Sequence, residues 1–125
     1  MIKESHKIRR KAIVEKTVET EVALDECGGH VMLSLKCGED GKFCQALSAM
    51  DAGKILCAVR EARAQAVCCE GDLVADYDAN TGILKFLWHA EGRDCCVKIG
   101  AVGIAVFIPA LKRYCALLMR TNKGA

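Results

Sequence analysis

Nine cysteines are the residues of this sequence with the widest range of chemistry, because thiols bind metals, form disulfides and act as nucleophiles. Their number is odd, so they cannot all pair within one chain. Two pairs are adjacent, Cys68-Cys69 and Cys95-Cys96, and neighbours in a strand point to opposite faces, which would strain a bridge. No two cysteines have the C-x-x-C spacing typical of zinc ligands. We therefore predict reduced thiols, mostly small apolar core residues, with no metal site and no cofactor.

Other combinations of catalytic residues are also missing from the sequence. The three histidines are isolated, and we find no Ser/His/Asp set, no glycine-rich phosphate loop and no paired carboxylates at a defined spacing. The sequence thus predicts a protein that is not an enzyme and acts by binding. A redox or metal protein using Cys95 or Cys96, which lie near Arg93 and Lys98, is an alternative.

Length and composition indicate one folded domain. The chain has 125 residues, of which 52% are hydrophobic and 27% charged, enough apolar surface for a core. We divide it into a basic N-terminal arm, residues 1–11, and a single domain, residues 12–125. The longest apolar run, residues 99–111, is shorter than the roughly 20 residues of a membrane span. No apolar run follows the basic start, so we expect an intracellular, cytoplasmic protein without membrane association, an organelle being the alternative.

The first half of the domain has the pattern of strands followed by a helix. Apolar and polar residues alternate over residues 13–24 and again over 30–36, which predicts two strands, and residues 42–47 can return as a third. Ser48 is a suitable N-cap for an alanine-rich helix over residues 49–66.

The second half repeats that order. The pattern predicts strands over residues 66–70, 73–77, 83–90 and 95–99, a loop at 100–103 and a last strand over 104–108. Pro109 is then expected to start a helix from Ala110 to about Arg120. The fold class predicted is α+β, with two antiparallel β-meander-plus-helix units as pseudo-repeats, residues 12–66 and 67–125.

Two runs of antiparallel strands, each closed by a helix, resemble the Whirly family and related single-stranded-DNA-binding proteins of the transcriptional-coactivator type. The similarity covers about residues 11–122 and is strongest in VGIAVFIPALKRYCALL, residues 102–118, where a proline lies between an apolar segment and an apolar helix. The resemblance implies curved sheets whose outer faces hold an unstacked strand, with lysine and arginine on phosphates and aromatic rings on bases.

The strand alternation places six basic residues on the face expected to meet such a strand, namely Lys36, Lys42, Lys85, His89, Arg93 and Lys98, and Arg9, Arg10 and Lys11 form a basic arm. Trp88 and Phe43 are the aromatics near these turns that could stack on bases. The candidate nucleic-acid-binding residues are Arg9, Arg10, Lys11, Lys36, Lys42, Lys85, Trp88, His89, Arg93 and Lys98. We expect single-stranded DNA or RNA as the partner, a transcription-related role and a homo-oligomer. A protein-interaction or structural module without nucleic-acid binding is the alternative, because the net charge is only +2.

Overall fold

The computed structural model describes residues 9–69 and 71–124, with side chains for residues 10–69 and 71–117. It has two four-stranded antiparallel sheets, each with its strands in sequence order and each followed by a helix. The first unit comprises β1 (Arg9–Lys16), β2 (Thr20–Cys27), β3 (His30–Cys37), β4 (Lys42–Leu47) and α1 (Ala49–Arg60). The second comprises β5 (Gln65–Cys68), β6 (Val74–Asp78), β7 (Ile83–Ala90), β8 (Arg93–Ile99) and α2 (Ala101–Gly124). The predicted α+β class with two meander-plus-helix units is confirmed.

The predicted strand over residues 13–24 is wrong, because a turn at residues 17–19 divides it into β1 and β2. The Thr17 hydroxyl accepts hydrogen bonds from the backbone N–H groups of Glu19 and Thr20, at 3.2 and 2.9 Å. Such side-chain bonds offer the backbone an alternative to the extended ladder. The alternation of apolar residues continues through the turn, so it conceals the turn in the sequence.

Strand β1 begins at Arg9, so the last residues of the predicted basic arm pair with β2 in the first sheet. Residues 1–8 of that arm, and the side chain of Arg9, lie outside the described part of the chain. The pairing of β1 with β2 shifts between Ile13 and Glu15, where a bulge changes which side chains face the core.

Helix α1 confirms the predicted cap but ends earlier than residue 66. The hydroxyl of Ser48 accepts a hydrogen bond from the backbone N–H of Asp51 at 3.1 Å. At the other end, Arg63 N–H donates to Ala58 O and Ala62 N–H to Val59 O, at 2.9 and 3.1 Å. These two bonds form a Schellman motif with Ala62 at a φ of 50°. The motif ends the helix within an alanine-rich stretch whose composition alone favours continuation.

The predicted loop at 100–103 and strand at 104–108 are wrong, because α2 is continuous from Ala101 and contains Pro109. The buried positions Gly103, Phe107, Ala110 and Tyr114 recur every three to four residues, as on one face of a helix. Pro109 lies on the exposed side of the helix. Because proline has no backbone N–H, the carbonyl group one turn earlier has no helical donor, and on this side it can bond water instead. A short apolar run with β-branched residues fits both structures, so periodicity alone does not separate them.

Each helix packs against the sheet of the other unit. Helix α1 contacts β5 and β6, while α2 contacts β1, β2, β3 and α1. The rings of Phe107 on α2 and Phe86 on β7 meet edge to face, with centroids 5.4 Å apart, and both are fully buried. The two units therefore share one core.

Two helical glycines give a matched prediction about this packing. A Cβ on Gly103 would lie 2.8 Å from Ile99 Cβ and 3.4 Å from Val14 Cγ1, whereas a Cβ on Gly53 meets nothing within 4 Å. Gly103→Ala is expected to lower the free energy of unfolding by about 1–3 kcal/mol through overpacking. Gly53→Ala is expected to raise it by about 0.5–1 kcal/mol through helix propensity. Urea denaturation of the two variants measures both signs, and two shifts of the same sign would contradict this packing of α2.

Candidate nucleic-acid interface

The outer face of the first sheet, which points away from the helices, carries a row of charged residues across all four strands. Lys16 pairs with Glu21, Glu21 with Lys36, and Lys36 with Lys42 in the strand register. Directly opposed side chains on one face lie within about 5.5 Å at Cβ. Three lysines and one glutamate thus form one line, here called the lysine row.

Small side chains lie beside the lysine row. Ala23, Ser34 and Cys44 are cross-strand neighbours on the same face, and the Ser34 hydroxyl and Cys44 thiol are hydrogen-bonded at 3.5 Å. Long side chains on one side and short ones on the other leave a groove of about 530 Å³, which we call the lysine groove. It is lined by Lys16, Glu21, Ser34, Leu35, Lys36, Lys42, Phe43 and Cys44.

The lysine row contains one carboxylate, Glu21, which lies between Lys16 and Lys36. Within the described side chains, no ion pair within 4.0 Å joins Lys16, Lys36 or Lys42 to an acidic group. Lys36 Nζ instead donates to the carbonyl oxygen of Val18 at 3.3 Å. Like charges directly opposite in a sheet, as Lys36 and Lys42 are, destabilise the pairing. An anion held between them would remove that repulsion.

The outer face of the second sheet also has two directly opposed lysines, Lys85 and Lys98. Here Asp76 is the partner of Lys85 on the other side, and Asp78 lines the same small depression of about 190 Å³. Each basic pair therefore has one carboxylate directly opposite a lysine, Glu21 for Lys36 and Asp76 for Lys85, and the second sheet has Asp78 in addition.

A second groove, of about 460 Å³, lies at the other end of β7 and β8. We call it the carboxylate groove, and it is lined by Asp72, Val74, Leu87, Trp88, His89, Asp94 and Cys95. His89 Nδ1 and Asp94 Oδ1 are 3.0 Å apart and form a hydrogen bond. The rings of Trp88 and Phe43 pack against each other on the core side, with centroids 6.0 Å apart. His89 and Asp94 have the opposite parity and lie on the outer face.

The sequence-predicted site residues fall into separate groups. Lys36 and Lys42 lie in the lysine groove, and Lys11 lies on the same face, opposite Asp25. Lys85, His89 and Lys98 lie on the outer face of the second sheet. The structure therefore brings together only part of the predicted set.

The remaining predicted residues point elsewhere. Trp88 is only 3% exposed and lies on the core face with Phe86, which leaves little ring surface for stacking by a base. Arg10 donates to the buried carboxylate of Glu26 at 2.9 Å. Arg93 starts β8 opposite Ala90, one residue out of phase with Lys98 and Asp94. Sequence reasoning missed Lys16, whose place in the row depends on the turn after it and on the bulge before it.

All nine cysteines are free thiols in the structure. Cys44 and Cys68 are exposed, whereas Cys69 and Cys95 are buried. Within the described residues, no group of three or more histidine, cysteine or acidic side chains is placed to hold a metal ion. Of the two candidate redox thiols, Cys95 is buried and Cys96 is partly exposed.

Burial of Cys69 predicts a loss of stability at alkaline pH. Burial, and secondarily the nearby Asp51 carboxylate, raises the pKa of this thiol from 9.0 to about 11. The unfolded chain therefore releases the thiol proton at a lower pH than the folded chain. The contribution of this protonated thiol to the free energy of unfolding is complete below pH 9 and is lost as the pH rises through about 11. The full loss is about 2–3 kcal/mol. Urea denaturation on both sides of this range should show a smaller loss for Cys69→Ala than for the parent, and equal losses would contradict the assignment.

No protein-family model, no curated protein and no solved structure matches this chain. Separately, none of the helices in the described residues is long and apolar enough to cross a membrane.

Proposed function

We propose that this protein binds single-stranded nucleic acid along the lysine groove of its first sheet. The observation that carries the proposal is the lysine row, in which Lys36 and Lys42 are directly opposed and Lys16 lies two strands from Lys36. Adjacent strands are about 4.8 Å apart. The ammonium groups of the row are therefore spaced so that successive phosphates of an extended nucleic-acid strand can lie near different lysines. The resemblance to the Whirly family predicts the same kind of ligand.

The groove also offers a nucleotide a hydroxyl group. The Ser34 hydroxyl can donate to or accept from a sugar or phosphate oxygen. Phe43 pairs with Leu35 on the core face and its ring packs against Trp88, so no stacking contact with a base is assigned to it. Lysine supplies most of the contact charge, so affinity is expected to depend strongly on salt and weakly on sequence.

Cys44 is a natural reporter of this groove, because its thiol is exposed there. At saturation with a single strand, alkylation of Cys44 by uncharged iodoacetamide is expected to slow markedly, since the strand covers the thiol. Cys57 on α1 lines neither groove and is partly exposed, so its alkylation rate serves as the internal control. Peptide mass spectrometry gives both rates. A bound strand that leaves the Cys44 rate unchanged would place the binding site elsewhere.

A second candidate function is self-association through α2, which corresponds to the expected homo-oligomer. Val102 is 84% exposed and Val106 is 41% exposed on one side of this helix, with Ala105 and Pro109 beside them. Packing of this side against the same side of a second copy would remove the valines from water. Light scattering should then report a dimer or larger species that Val102→Ser with Val106→Ser converts to monomer. A monomeric parent protein at high concentration would exclude this candidate.

A further inference from the structure

A third groove lies between strand β1, at the edge of the first sheet, and the second half of α2. Arg10 on β1 pairs with Glu26, whose neighbour on the other side is the core residue Val31, so Arg10 is on the face of the sheet that α2 covers. The lysine row is on the opposite face. The groove has a volume of about 290 Å³, and we call it the arginine groove. It is lined by Arg10, Arg113, Tyr114, Ala116 and Leu117.

A buried carboxylate holds Arg10 in place at one side of the groove. Arg10 Nη1 donates to Glu26 Oε1 at 2.9 Å. The side chain of Glu26 is only 7% exposed, whereas that of Arg10 is 43% exposed. Glu26 does not line the groove, so its negative charge is directed to Arg10 and not to a ligand. A guanidinium has several N–H donors in a rigid fork, so Arg10 keeps donors for a further acceptor.

Arg113 lies on the helix side of the same groove and has no carboxylate partner. Its Cζ is 5.8 Å from the centroid of the Tyr114 ring, a cation–π contact that limits where the guanidinium can lie. Within the described side chains, Arg113 forms no ion pair. Because Glu26 offsets the charge of Arg10, the groove keeps one net positive charge. A ligand with a single negative charge balances it.

The hydroxyl of Tyr114 is a second, independent indication of a polar ligand. This residue is only 2% exposed and belongs to the core. Within the described part of the chain its hydroxyl makes no hydrogen bond, and the oxygen is not fully enclosed, so it borders open space. A tyrosine this deeply buried usually has a partner for its hydroxyl. Since Tyr114 lines the arginine groove, an acceptor bound in the groove can supply that partner.

We propose that the arginine groove binds a small molecule in which one carboxylate is joined to an apolar ring or chain. The planar guanidinium of Arg113 matches the two oxygens of a carboxylate with parallel hydrogen bonds. Arg10 and the Tyr114 hydroxyl then donate to the remaining lone pairs. Ala116 and Leu117 give the apolar part of the ligand a surface to pack on. This inference does not depend on nucleic-acid binding, because the lysine row lies on the other face of the sheet.

The test uses compounds with the same phenyl group and different polar ends. Phenylpropionate carries a carboxylate, phenylpropanol a hydroxyl, phenylpropylamine an ammonium and phenylethyl phosphate a group of higher negative charge. Titrations of the isotopically labelled protein, followed by two-dimensional NMR, give the affinities and the amides that shift. Phenylpropionate is expected to bind about 10-fold more tightly than the alcohol and to shift the amides of residues 113–117. The phosphate is expected to bind more weakly than the carboxylate, and the amine weakest of all.

Three single variants locate the binding site. Arg113→Gln changes an exposed side chain and is expected to weaken phenylpropionate binding about 10-fold. Lys112→Gln makes the same change of net charge at an exposed neighbour that does not line the groove, and it should alter the affinity by no more than about 2-fold. Tyr114→Phe keeps the buried ring, removes only the hydroxyl, and should weaken binding a few fold without loss of the fold.

Several results would overturn the inference. Equal affinities for phenylpropionate and phenylpropanol would mean that the arginines recognise no anion, and tighter binding of the phosphate would exclude a carboxylate site. Equal losses in Arg113→Gln and Lys112→Gln, or unchanged amides at residues 113–117, would place the ligand elsewhere.

The variant with Lys16, Lys36 and Lys42 replaced by glutamine separates this inference from the proposed function. It should bind phenylpropionate as the parent protein does, while its binding of single strands is weakened. A loss of phenylpropionate binding in this variant would place the carboxylate in the lysine groove and overturn the inference. Absence of single-strand binding in the parent protein would remove the proposed function and leave this inference intact.

Discussion

Replacing Lys16, Lys36 and Lys42 together with glutamine is expected to weaken single-strand binding about 100-fold at 0.1 M salt. The logarithm of the binding constant for single strands falls by about 0.7 per neutralised phosphate for each tenfold rise in salt. Three lost phosphate contacts therefore remove about two logarithmic units between 1 M and 0.1 M salt. The three lysines carry this effect because they line one groove and, within the described side chains, form no ion pair with a carboxylate.

A variant with the same change of net charge at other sites provides the control. Lys54 and Arg60 on α1 and Lys112 on α2 are exposed and line neither groove. Their replacement by glutamine is expected to weaken binding only a few fold, through the long-range field. Anisotropy titrations of both triple variants at one salt concentration give the comparison. Equal losses in the two variants would mean that net charge, and not the lysine row, holds the strand.

Phe107→Ala is expected to lower the free energy of unfolding by about 3–5 kcal/mol, the largest stability effect of the substitutions considered. Phe107 has no exposed surface, and its ring meets Phe86 edge to face at 5.4 Å. Its helix also packs against the first sheet, so the cavity would open where the two units join. Urea denaturation followed by circular dichroism measures the change.

Two other substitutions on the same helix serve as controls for the loss of packing in Phe107→Ala. Phe107→Leu keeps much of the side-chain volume and is expected to be clearly less destabilising than Phe107→Ala. Val106→Ala alters the neighbouring, partly exposed position and is expected to change stability by about 0.5 kcal/mol or less in a monomer. A loss below about 1 kcal/mol for Phe107→Ala would contradict a core shared by the two units.

Local signals in the sequence predicted much of the fold. The bounds of β7, residues 83–90, and its division into a core face with Phe86 and an outer face with Lys85 follow from strict alternation. The start of α1 follows from Ser48, whose hydroxyl satisfies a backbone N–H that the first turn leaves free. In these cases the residues that decide the structure are neighbours in sequence.

The incorrect predictions arose where distant contacts decide the structure. The apolar start of α2 has β-branched residues that also suit a strand, and its helical form buries Gly103 against Ile99 and Val14. The turn at Thr17 interrupts an alternation that is continuous in sequence. Propensity gives only a weak preference at such positions, and packing against the other elements overrides it.

The candidate site was predictable to a smaller extent, because a site depends on register across several strands. Alternation identified Lys36 and Lys42 as outward-facing, but it could not pair them with Lys16, which requires the β1–β2 turn and the bulge. Trp88 was grouped with the basic residues by its nearness in sequence, although its parity is that of Phe86. Face and register, rather than nearness in sequence, determine which side chains meet.

The salt dependence of single-strand binding by the unmodified protein tests the central claim most directly. Anisotropy of a labelled strand over a range of salt concentrations gives the slope of the logarithm of the binding constant against the logarithm of salt. With Lys11, Lys16, Lys36 and Lys42 on one face, we expect binding at low salt and a slope of about −2 to −3. No binding at low salt, or binding with a slope near zero, would contradict a lysine groove that holds nucleic-acid phosphates.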